Sequence, residues 1–190
     1  MSLKVITPPA TEPLALDLAK QHLRIDGTDD DALVTSLIKQ AREWCEDYQG
    51  KKYITQTLEL GLDAFPDKDY VEFRACSPVQ SVSSVKYTDS DGIEATLDAA
   101  NYILDADSFV NRLVLGYNKT WPTATLKPVN GVRIRFVAGY GDAATDVPES
   151  GKWAMVLHMR LLYDDYKPEE RVKLERARDA LLGMNRVVPV

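Results

Sequence analysis

Residues Gly139-Tyr140-Gly141-Asp142-Ala143-Ala144 spell G-x-G-x-x-A, the pattern of a dinucleotide-binding turn, between an apolar strand-like run and a helix-like one. In such a turn the glycines let the backbone approach a pyrophosphate, and the amides of a helix starting inside the glycine run bind it. Here Asp142 and Asp146 put negative charge into that space. The helix is expected to begin only at Pro148, and no strand follows it, because residues 166–184 read as polar and helical. The pattern therefore predicts a structural turn. His22 and His158 are the only histidines, and neither has a histidine or glutamate at ligand spacing, so both read as surface or packing residues. Asp89-Ser90-Asp91-Gly92 opens like a calcium loop, but its glycine stands fourth where such loops need it sixth, and no glutamate closes the twelfth place. It reads as a hairpin turn. Cys45 and Cys76 make neither a disulfide framework nor a zinc cluster, which implies a reducing compartment. No catalytic, metal-binding or cofactor-binding residue is assigned.

The elements that position these residues follow from periodicity. Leu14 to Ile25 reads as a short helix with Leu16, Ala19 and Leu23 on one face. Asp29, Asp30 and Asp31 then load the start of a second helix with the charge its dipole favours. Along that helix Leu33, Leu37, Ala41, Trp44 and Tyr48 recur at steps of three and four, and Gly50 stands where a left-handed cap belongs. This stripe predicts a buried Trp44. Beyond Gly50 the period changes to two. Ile54, Leu58, Leu60 and Leu62 alternate with polar residues, Val85 and Tyr87 lead through Asp89–Gly92 to Ile93, Ala95 and Leu97, and short strands are expected at 102–105 and 112–115. Val132, Ile134 and Phe136 form the clearest strand, with Arg133 and Arg135 on its other face. Helix returns at Pro148, with Trp153, Val156, Leu157, Leu161 and Leu162, and again at Pro168, with Leu174, Ala177, Leu181 and Met184 along one face. Residues 1–13 read as an extended, proline-rich arm.

Helices, then antiparallel strands, then helices imply an α+β fold: a helical bundle core with an inserted antiparallel β-sheet lobe between the second and third main helices. The expected layout is a single domain, with N-terminal helices over 14–50, the β-insertion over 51–140, and C-terminal helices and tail over 146–190. Acidic residues outnumber basic ones 29 to 23, a net charge of −6 in 190 residues, which argues against a broad basic face gripping nucleic acid. No apolar run approaches the roughly 18 residues of a membrane span. Arg171, Lys173, Arg176 and Arg178 interleave with Glu169, Glu170, Glu175 and Asp179, as on a solvated or subunit-facing helix. The segment from Pro168 to Val190, which carries Arg171, Arg176, Arg178 and Arg186 and ends in the apolar Val187-Val188-Pro189-Val190, is a tail expected to have little to bury in its own monomer and to order on a partner.

TEPLALDLAKQHLRID, the acidic start to ALVTSLIKQAREWCEDYQGKKYITQT, SPVQSVSSVKYTDSDG and FVAGYGDAATDVP, in that order, resemble the head–tail connector (head-completion adaptor) family of tailed bacteriophages and prophages. The likeness runs from about Val5 to about Tyr163, and it departs at Ala15, where the family usually has a Ser or Thr helix cap. The resemblance implies a non-enzymatic virion protein without cofactors. It implies that copies form a homo-oligomeric ring beneath the portal protein, extend the channel through which DNA passes without specific binding, and seat a stopper or tail-joining protein. It implies a place at the virion head–tail junction and, during assembly, in the host bacterial cytoplasm. It also implies portal docking through the C-terminal region, here Arg171, Arg176, Arg178, Arg186, Val187, Val188, Pro189 and Val190. The first and last helical segments are the expected ring contacts. Two other functions compete: a nucleotide-binding enzyme using Gly139–Ala144, which needs a pocket of converging titratable groups, and a nucleic-acid-binding regulator, which needs an uninterrupted basic face.

Overall fold

The computed structural model describes residues 1–187 and is α+β, with four α-helices, a five-stranded antiparallel sheet and a smaller three-stranded one. Its contacts divide the chain into two compact units: Met1–Pro8 with Thr55–Gly139, and Pro9–Ile54 with Tyr140 onward.

The first unit holds the strands. β1 (Ser2–Thr7), β2 (Gln56–Leu62), β8 (Val132–Ala138), β4 (Val79–Thr88) and β5 (Glu94–Leu97) lie side by side in that order, each antiparallel to its neighbours. Strict alternation sends Leu58, Leu60, Val132, Ile134 and Phe136 to the core face, where each is at most 2% exposed. The smaller sheet, ordered β3 (Tyr70–Glu72), β7 (Arg112–Leu115) and β6 (Tyr102–Asp105), adds Val71 and Leu113 to the same core. Phe73 lies with its ring centroid 4.7 Å from that of Phe136. The hairpin at Asp89 forms as the sequence implies: Val85 faces Leu97, Tyr87 faces Ala95, and the Asp89 carboxylate accepts from the amides of Asp91 and Ile93 at 3.0 and 2.8 Å.

Two features of this unit differ from expectation. Residues 2–7 are not a free arm, because they complete the sheet against β2, with Leu3 opposite Leu60 and Val5 opposite Leu58. The open edge of β2 satisfies its backbone groups with the nearest extended segment, and proline begins only after this strand ends. β3 was not anticipated, since three residues are too few for a period to show.

The second unit holds α1 (Leu16–Leu23), α2 (Asp31–Gln49), α3 (Glu149–Tyr163) and α4 (Pro168–Gly183). The first three pack on one another, as the return of helical period at Pro148 implies, and α4 packs on α3. Gly50 ends α2 in the left-handed region at φ 66°. The buried face of α2 is turned from the expected stripe. Val34, Leu37, Ile38, Ala41 and Cys45 are buried, Leu33 is 48% exposed, and Trp44 and Tyr48 are only half-buried. Arg42 and Glu46, both charged, are nonetheless 4% and 1% exposed. They are tolerated inside because they satisfy one another. Arg42 Nε donates to Glu12 at 2.7 Å and Nη1 to Glu46 at 3.3 Å, while Glu46 also accepts from Lys52 Nζ at 3.2 Å and the Tyr53 amide at 2.8 Å. α4 is turned likewise: Arg178 and Leu182 are buried, whereas Ala177 and Met184 face solvent. Among the described residues no helix is long and apolar enough to cross a membrane.

Candidate functional site

The glycine turn is closed by the chain itself. A side chain at Gly141 would collide with the Asp146 carboxylate, whose Oδ2 accepts from the Ala143 amide at 2.9 Å. That carboxylate takes a turn amide and sets negative charge against the glycines, which repels a phosphate, and α3 starts only at Glu149, behind Pro148. The strand entering the turn, β8, is antiparallel to β2 from Gln56↔Ala138 to Leu62↔Val132, unlike the parallel strands of a dinucleotide fold. A cleft of about 340 Å³ lies between α1 and α3, lined mainly by apolar groups including Leu14, Leu18, Trp153 and Val156. Its charged members Lys152 and Glu149 pair with each other, and His22 stands edge-on to Trp153 with centroids 5.1 Å apart. Among the described residues no cluster of His, Cys, Asp and Glu could hold a metal ion.

The C-terminal residues form a second polar arrangement in the helical unit, beside that of Arg42 and Glu46. Arg178 lies over the Trp44 ring, with Cζ 3.8 Å from its centroid, and its Nε donates to Asp179 at 2.9 Å. The ring of His158 stacks on the same Trp44 at 4.3 Å and 14°. Arg178 Nη1 stands 3.0 Å from His158 Nδ1, which must accept because guanidinium has no lone pair to offer. Burial, and then the Arg178 charge, pull the His158 pKa down to about 4, so the ring is neutral near pH 7. One helical turn further, Arg186 lies over Tyr48 at 4.3 Å and donates from Nε to the Tyr48 carbonyl at 2.9 Å. The Val187 amide donates to the Gln49 carbonyl at 2.8 Å, and Gln49 Nε2 returns a bond to the Leu182 carbonyl at 2.9 Å. The last carbonyls of α2, orphaned by helix geometry, are thus met by the segment that follows α4.

This arrangement sorts the residues assigned to docking. Arg178 and Val187 are 9% and 3% exposed, so the tail does bury residues in its own monomer, contrary to expectation. Arg171 donates to Glu175 and to the Leu161 carbonyl, and Arg186 is laid along Tyr48. Arg176 is exposed, as are Val172, Lys173 and Met184. Val188, Pro189 and Val190 lie outside the described residues. The role of Trp44, Tyr48 and Gln49 as the seat for this segment was missed. Only the aromatic spacing at 44 and 48 hints at it, and that spacing by itself predicts core.

A comparison with curated proteins gives no match. Among solved structures, the chain is similar to one in the neck of an empty gene transfer agent particle with C6 symmetry, at TM-score 0.82 and 23% identity over 100% of this chain and 97% of that one. It is similar also to chains of the native gene transfer agent virion, at TM-score 0.78, and of the native particle's neck with C12 symmetry, at 0.75, with the same identity and coverage. At that identity the likeness is one of fold. The model of phage gp6-like head-tail connector proteins matches residues 14–109, just over half of the 190 residues, and spans parts of both units; the chain belongs to that family.

Proposed function

We propose that this protein is a ring-forming adaptor at the head–tail junction of a virion, acting by shape and without catalysis. The family match over 14–109 carries this reading, because it makes the chain a structural virion-assembly protein. Copies close into a ring beneath the portal, extend the DNA channel, and seat the stopper or tail-joining protein, after assembly in the bacterial host's cytoplasm. The likeness to chains from neck particles of C6 and C12 symmetry supports a ring. A net charge of −6 suits a conduit, since a lumen that does not neutralise phosphates lets DNA slide. In this reading the helical unit is the body of the subunit and the β-unit is an insertion between α2 and α3.

The C-terminal region is the portal-facing part. Arg178, Arg186 and Val187 hold α4 and its extension in place, while Arg176, with Arg171 beside it and the apolar Val188, Pro189 and Val190 beyond, meets the portal. Truncation at Lys167 is a poor test, because Leu182, at 0% exposed, belongs to the helical core. The better test is negative-stain microscopy of the concentrated protein, alone and mixed with portal, for the native chain and an Arg176→Glu variant. Rings that seat on the portal, and seat more weakly in the variant, are expected. Native protein that forms neither rings nor portal complexes refutes the reading.

A further inference from the structure

The face of the five-stranded sheet turned away from the core runs against the charge of the rest of the molecule. Pleating places Lys4, Glu59, Arg135 and Ser84 in one row across β1, β2, β8 and β4, and Arg133, Lys86 and Thr96 in the next across β8, β4 and β5. Lys4, Lys86, Arg133 and Arg135 thus stand against only Glu59 and Glu94, an excess of two positive charges on a chain of net −6. The cations are fixed rather than loose. Glu94 takes Lys86 at 2.7 Å and also Arg133, and Glu59 takes Arg135 at 2.8 Å. They remain open to solvent, with the Arg133, Lys86 and Arg135 side chains 37%, 43% and 46% exposed. The face is roughly 20 Å across from the strand spacing.

The complementary feature lies in the other unit. Between α1 and α2, Asp26, Asp29 and Asp30 are exposed and have no ion-pair partner among the described residues. The turn that carries them is held rigid, since Lys20 Nζ bonds both to the Gly27 carbonyl and to Asp31, the latter at 2.5 Å. A closed ring needs two different surfaces on each copy that fit one another. We propose that the outer sheet face of one copy receives the acidic α1–α2 turn of the next, and that this charge match sets the subunit contact of the ring. The inference rests on the ring reading above. The interspersed carboxylates of Glu59 and Glu94 suit discrete aspartates of a protein better than a continuous row of phosphates.

The test uses the full chain and three variants: Lys4→Glu/Arg135→Glu, Asp29→Lys/Asp30→Lys, and the fourfold combination. Circular dichroism checks that each folds, and mass photometry measures the concentration at which rings form. Each double reversal is expected to raise that concentration by about tenfold or more, because like charges are brought face to face. The fourfold variant, in which both surfaces are inverted together, is expected to assemble again, as is an equal mixture of the two double variants. Folded double variants that assemble like the native chain, or a fourfold variant that is not rescued, overturn the contact. Unchanged assembly with loss of duplex DNA binding in Lys4→Glu/Arg135→Glu, read by fluorescence anisotropy, overturns it in favour of a phosphate surface. A native chain that stays monomeric at every concentration overturns the ring and this contact together.

Discussion

Protonating His158 is harder than protonating an ordinary histidine, because the ring is buried against Trp44 and faces the Arg178 guanidinium. With its pKa lowered to about 4 from 6.5, the unfolded chain binds this proton first as pH falls. The stabilisation is therefore fully present above about pH 6.5 and is lost progressively as pH falls toward about 4. Urea unfolding at pH 7 and pH 4.5 is expected to show a drop in stability that a His158→Gln variant reduces. An equal drop in both proteins places the sensitivity elsewhere. Trp44 is the common platform of this cluster, touching His158, Arg178 and Tyr48 while itself only half-buried. Trp44→Ala is expected to cost about 2–4 kcal/mol, at or below the range for fully buried tryptophan. A midpoint unchanged in thermal unfolding would mean that the stack contributes nothing to folding.

The elements divide by what their residues needed to declare themselves. α2, β8, the hairpin at Asp89–Gly92 and the short strands at 102–105 and 112–115 were legible because a local period of 3.6 or 2 carries them. β1 was not, since an edge strand is defined by the partner that needs it, and that partner lies some fifty residues away. The rotated face of α2 was hidden for a related reason. Arg42 and Glu46 look like solvent residues until Glu12 and Lys52 are seen to meet them. The seat for the C-terminal segment also depends on contacts distant in sequence, Tyr48 with Arg186 and Gln49 with Val187, so only its aromatic residues could be noticed. The missing cap of α1 was legible in full. Ala15 is the N-cap and makes no side-chain hydrogen bond, leaving the amides of an eight-residue helix without that partner. Ala15→Ser is expected to add about 0.5–1 kcal/mol, measured by denaturant unfolding. A loss of stability would show that the site cannot place the hydroxyl.

At the scale of the whole molecule, the proposed function is carried by surfaces repeated on every copy. The glycine turn, the one motif with the spelling of a nucleotide site, is filled by Asp146. The family match supplies the connector identity, and the contacts proposed above use the exposed side of α4, the positively charged sheet face and the acidic turn at Asp26–Asp30. Each is available on every copy, as the proposed ring requires. Deleting this chain from its virus or prophage and examining the particles by electron microscopy tests that account most directly. DNA-filled heads without tails are predicted, together with recovery of tailed particles when the purified native chain is added to those heads. Normally tailed, infective or transducing particles assembled in its absence would contradict a connector role.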